Sequence, residues 1–186
     1  MARMLFASLI MCLGLNAQAF TGSDAIVAMT AKTLTHAGLN LKKGDTASYN
    51  VSMGFISGTM VMSVYDIVAE GIWIHQDMDL SMVGKQKIEI LIDPNTGEIK
   101  KVLVNGKEEQ IPARGEMEVV ETKEETVTVP AGTFPTVYIK VLDKSKNETI
   151  QQWVNLKDVA VFGMVKSISP SQIGEVKMEL TSFRKM

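Results

Sequence analysis

The feature that most constrains this chain is an alternation of apolar and polar residues with a period of two, repeated in short runs from about Ala47 to Thr181. Side chains on a strand point alternately to opposite faces, so each run is a strand with one dry face and one wet face. Ala47, Tyr49, Val51 and Met53 alternate with Ser48, Asn50 and Ser52. Thr59–Val68 carries Met60, Met62 and Val64 on one side, and a third strand runs from Ile72 to Met82 with Met78, Leu80 and Met82 set against Asp77, Asp79 and Ser81. Ile88 and Ile90 share a side of the next run, and Val176, Met178 and Leu180 share one near the C-terminus. Gly54–Gly58, Glu70-Gly71, Asp93–Gly97 and Asn105-Gly106 separate the runs with turn residues, the last being the strongest two-residue hairpin signal in the chain. Val159–Ile168 is apolar almost throughout and reads as a further buried strand.

Successive strands joined by short turns predict an antiparallel meander, interrupted where Ile111–Gly115 makes a long connection. About ten such strands do not stay flat, because strand twist curls them. The expected fold is therefore mainly β, a curved antiparallel sheet forming a half-barrel or barrel. One short N-terminal helix precedes it, with Ser23 as N-cap, Ala25–Leu34 as its body and Gly38 as its stop.

The first residues carry an address. Arg3, an apolar run from Met4 to Leu15, and Ala17-Gln18-Ala19 form the basic, hydrophobic and small-x-small pattern of a secretory signal cut before Phe20. Residues 1–19 are read as signal peptide and 20–186 as a single β-rich domain, exported to the periplasm. The only cysteine, Cys12, lies in the signal, so thiolate chemistry and disulfides are excluded from the mature chain. A net charge of -2 without a basic cluster excludes phosphate-driven nucleic-acid binding.

No catalytic constellation emerges, and the chain is expected not to be an enzyme. Gly54–Gly58 lacks the spacing of a nucleophile elbow, no Gly-rich loop precedes the helix, and the acidic residues are spread along wet faces. His75, Asp77 and Asp79 share a face, but alternate residues on a strand stand about 6.6 Å apart, so the three span roughly 13 Å and cannot meet on one ion. No metal and no cofactor is expected. Glu116, Glu118, Glu121, Glu124 and Glu125 read as a charged edge strand.

Methionine is the compositional oddity: thirteen residues, less Met1, Met4 and Met11, leave ten after the signal. Thioethers fill irregular cores, adapt to lipid-like ligands, or bind Cu(I), and the sequence leaves these three roles open. The ligand-wall role, with an inner face of the curled sheet, nominates Met60, Met62, Met78, Leu80, Met82, Ile88, Ile90, Trp153, Met178 and Leu180.

The stretch Val127-Thr128-Val129-Pro130-Ala131-Gly132-Thr133-Phe134, with Gln152-Trp153-Val154, Val165-Lys166 and the terminal Met178–Phe183, resembles a group of secreted bacterial domains of unknown function. That group is similar in architecture to the periplasmic carriers of the lipoprotein localisation system. The resemblance implies a curved sheet around an apolar cavity closed by helices. The expected function is the holding of an apolar or lipid-like ligand, such as a lipoprotein acyl group, in the concavity, with peripheral contact to a membrane. The alternative is an envelope structural or protein-interaction module with a fully packed core and an envelope protein as partner.

Overall fold

A computed structural model describes residues 41–111, 116–171 and 174–186. The expected signal and N-terminal helix lie outside the described residues. Eleven strands account for nearly all the rest: β1 Thr46–Met53, β2 Ile56–Val68, β3 Gly71–Leu80, β4 Gly84–Ile92, β5 Ile99–Val104, β6 Lys107–Glu109, β7 Met117–Val129, β8 Gly132–Asp143, β9 Glu148–Val154, β10 Met164–Ser171 and β11 Gly174–Arg184. All pairings are antiparallel and form one sheet in the order β6-β5-β4-β3-β2-β1-β11-β10-β9-β8-β7. The first and last strands are neighbours in the middle, and β6 and β7, consecutive in the chain, are the two edges.

That order forces the curvature. Ten strand spacings of about 4.8 Å would hold the edges of a flat sheet about 48 Å apart. The eight residue steps from Glu109 to Met117 reach at most about 29 Å. The sheet has to curl until β6 and β7 approach each other, yet they do not pair, so it stays open.

The Val-Pro-Ala-Gly corner fixes the curl on one side. At the β7–β8 tip the Ala131 amide donates to the Leu180 carbonyl of β11 at 3.0 Å. The β1–β11 register shifts at this level, where Tyr49 faces Leu180 and Ser48 faces Ser182. The Thr181 hydroxyl, from the residue skipped by that shift, donates to the Ser48 carbonyl at 3.0 Å. Beside it the rings of Phe134 and Phe183 meet edge to face, 6.1 Å between centroids. Proline and glycine end one strand and start the next here because neither prolongs a ladder well.

Three sequence expectations change. The first turn is only Gly54-Phe55, so Gly58 lies inside β2 opposite Val51 and Leu80. The third strand stops at Leu80, and Met82 sits in a turn with φ of 68°. The apolar run from Val159 divides: Val159 to Phe162 form a buried turn, and the strand begins at Met164. Asn155 organises that turn, its side-chain amide donating to the Pro135 carbonyl at 3.0 Å and its side-chain oxygen accepting from the Asp158 amide at 2.9 Å. Gly163 completes it with φ of 70°, where an added Cβ would stand 2.8 Å from the Asn155 carbonyl oxygen. A continuous apolar run does not distinguish a buried turn from a buried strand.

Candidate functional site

The inner face of the sheet follows from register. On β1, the alternate residues Ala47, Tyr49, Val51 and Met53 are buried, and the residues between them are not. Pairing carries this face outward in rows. One row runs Leu180, Tyr49, Met60, Met78 across β11, β1, β2 and β3. A second runs Ala47, Met62, Gln76, Ile88, Val104 from β1 to β5. A third aligns Val64, Ile74, Ile90 and Val102. The result is a contiguous wall of thioether and branched aliphatic groups on six adjacent strands.

Eight of the ten nominated residues, all but Met82 and Trp153, belong to this wall. Met60, Met62, Leu80, Ile88, Ile90, Met178 and Leu180 are buried, and Met78 is half-buried against them. Met82 does not belong to it. The strand ends two residues earlier than the alternation implied, and Met82 is 69% exposed. Trp153 is buried within the same core cluster but off this face, because β9 presents Gln152 to the inner face and Trp153 to the other one, opposite Tyr138 and Lys166. There the indole N–H donates to Glu125, the Lys166 ammonium lies 5.0 Å from its ring and Tyr138 packs at 5.1 Å. The indole hydrogen bond, then Lys123, holds the Glu125 carboxyl below the usual carboxylate range.

Polar groups on the inner face were missed by sequence reasoning. Gln76 is fully enclosed, and neither its Nε2 nor its Oε1 has a hydrogen-bond partner. The signal was there: Gln76 falls in step with Ile74 and Met78, but the eye passes from Ile74 to Met78 along the apolar residues. Gln152, Ser167 and Ser169 are likewise buried, on β9 and β10, so the wall grows more polar on that side. The Tyr49 hydroxyl reaches the Met164 carbonyl at 3.1 Å, and burial pushes its pKa well above the usual phenol value.

The outer face carries the charge. The Tyr65 ring stacks on His75 at 3.9 Å, and the His75 Nε2 stands 3.2 Å from the Glu89 carboxylate. Burial, then the Lys87 ammonium, lowers the His75 pKa, so near neutrality the ring is uncharged and Nε2–H donates to Glu89. Among the described residues no three metal-ligating side chains converge.

No family model matches the chain. No curated protein matches it either. Among solved structures, it is similar to a protein of Bacteroides fragilis described as exported and of YmcC-like fold, at 12% identity and a TM-score of 0.41, covering 78% of this chain and 97% of that one. It is also similar to the MucA/MucB complex of Pseudomonas aeruginosa, at 11% identity and a TM-score of 0.46, covering 85% of this chain and 56% of that one. The structure of MucB gives 10% identity and a TM-score of 0.42, with 86% and 58% covered, so the chain spans a little over half the length of that relative.

Proposed function

We propose that this chain is an exported binding module of the cell envelope that holds an apolar or lipid-like ligand against the inner face of β1–β5 and β11. It works by hydrophobic sequestration, with no bond made or broken. The observation that carries the reading is the continuous wall of methionine, isoleucine and leucine assembled by register from six strands. Burying an acyl chain is worth about 0.8 kcal/mol per CH₂, so twelve carbons supply roughly 10 kcal/mol before ordering costs. The side chains of the wall are buried, and uptake has to part them. Edges that do not pair with each other leave the sheet free to spread, and thioether side chains adapt to what enters. Periplasmic localisation rests on the signal pattern of residues 1–19.

Native mass spectrometry on protein released from a periplasm without denaturation, followed by lipid extraction, tests this. The expected result is a stoichiometric acyl ligand that is lost in Leu80→Asp, a variant checked for folding by its circular dichroism. A clean unliganded mass, with no uptake of decanoic acid, its esters or phospholipid on titration, overturns it.

A second reading is favoured by the edge strand β7. It is 13 residues long, and it exposes Val119 and Val120 between Glu118 and Glu121. An extended segment of an envelope protein adding to this edge would satisfy its open backbone groups. Loss of a partner's binding in Val120→Pro, with ligand uptake intact, separates this reading from the first.

A further inference from the structure

Among the described residues, Gln76 is the one buried side chain whose polar atoms find no partner. Its amide is fully buried and both polar atoms lack a partner, so interchanging nitrogen and oxygen leaves the same deficit. On its own face stand Ile74 and Met78 along β3, Met62 across on β2 and Ile88 across on β4. None of these side chains has an N–H or O–H to offer. The inner register of β2, β3 and β4 carries no titratable side chain either, since His75, Asp77, Lys87 and Glu89 are in the outer register. Native interiors rarely leave a buried amide unpaired, and each instance asks for a partner that arrives.

We propose that Gln76 recognises the head of a free fatty acid taken up in its protonated form, an assignment that rests on the inner-face reading above. A primary carboxamide presents an acceptor and an N–H donor along one edge. An undissociated carboxylic acid presents a donor and an acceptor along one edge too. The two close as a pair: the acid O–H donates to Oε1, and Nε2–H donates to the acid carbonyl. An ester offers acceptors only and leaves Oε1 orphaned. A trans secondary amide has its donor and acceptor on opposite sides and satisfies one Gln76 atom at a time. A carboxylate would set negative charge against Oε1 in an apolar wall, and desolvation drives it to the neutral acid. Binding above the acid's own pKa therefore takes up one proton from solvent, and affinity falls as pH rises.

The test uses the full mature chain and three ten-carbon probes, decanoic acid, decanamide and methyl decanoate, titrated calorimetrically between pH 5.5 and 7.5. Decanamide binds about tenfold or more tighter than the ester at every pH, as expected when a site built to pair a donor and an acceptor meets a probe lacking one. Decanoic acid weakens about tenfold per pH unit while decanamide stays constant, the signature of one proton taken up. In Gln76→Met, close in volume and free of the orphaned amide, the amide-to-ester ratio falls to about one. Thermal melting confirms that this variant folds. Equal binding of amide and ester by the wild type, or an unchanged ratio in Gln76→Met, overturns the role of Gln76 and leaves the inner-face reading standing. No binding of any of the three probes overturns both.

Discussion

Replacing Gly58 by alanine tests whether the close approach of β2 to β3 shapes the inner wall. A Cβ at this position would stand 2.0 Å from the Asp79 carbonyl oxygen and 2.8 Å from the Leu80 Cα. Both are backbone atoms, so no side chain can swing aside, and ordinary contact requires the strands to part by roughly 1 Å or more. Two hydrogen bonds lie beside the clash, Ser81 N–H to the Ser57 carbonyl at 2.7 Å and Ser57 N–H to the Ser81 hydroxyl at 3.0 Å. Losing both removes about 2 kcal/mol, and the overpacking adds about 1–3 kcal/mol. Alanine recovers about 0.5–1 kcal/mol by restricting the unfolded chain, so the steric effect wins. The expected net loss is about 3 kcal/mol, or roughly 6–12 °C in Tm for a domain of this size. Gly84 supplies the comparison, since nothing lies within 4 Å of its would-be Cβ and only its φ of +85° resists alanine. Gly84→Ala is expected to lose about 1–2 kcal/mol, the penalty of a left-handed residue. Urea denaturation of both variants reads the difference. A Gly58→Ala protein no less stable than Gly84→Ala would refute the argument that β2 and β3 touch here without room for a methyl group.

Ile90 is fully buried in the middle of the wall, so Ile90→Ala is expected to cost about 3 kcal/mol; a shift in the urea midpoint worth under 1 kcal/mol would mean that the wall is not packed there. His75 has its pKa lowered from 6.5. The unfolded chain gains its proton first, so the contribution of neutral His75 is whole above about pH 6.5 and drains away as pH falls below it. Stability measured at pH 7.5 and 5.5 should drop more in the wild type than in His75→Gln, and equal drops would contradict the assignment. Trp153→Phe removes the N–H that holds the Glu125 carboxyl low, so the Glu125 titration followed by carbon-13 NMR should move up; an unmoved curve would place the cause elsewhere.

The parts of the fold that were legible in the sequence are those written in local chemistry. Asn105-Gly106 was read as a hairpin because both positions tolerate positive φ, and both have it, at 52° and 80°. Asp93 was read as a turn former, and its carboxylate accepts from the Asn95 amide at 2.8 Å. Met60, Met62, Met78 and Leu80 were placed on one face by alternation, and cross-strand pairing keeps Met60 opposite Met78. Met82 was misplaced because the pattern continues past Leu80 while the chain does not. Trp153 was nominated for the inner wall, whereas strand parity puts it on the other face with Lys166 and Tyr138 on either side. Gln76 was overlooked because a polar residue in an apolar period looks like noise until its neighbours are known to be Met62 and Ile88.

By itself the sequence determined most of the strands, where most hairpins turn and which faces are dry, because those follow from side-chain parity and backbone preferences within a few residues. It also carries a basic, apolar and small-x-small pattern over residues 1–19 and holds no cysteine after Cys12. The tertiary structure alone decided that β1 and β11 meet in the middle of the sheet, that β6 and β7 are its open edges, and that Ala131 bonds Leu180 some fifty residues away. Those outcomes depend on pairings between distant strands, where many registers satisfy the same alternation and the choice is made by a short connection, a bulge and the fit of side chains across the whole wall.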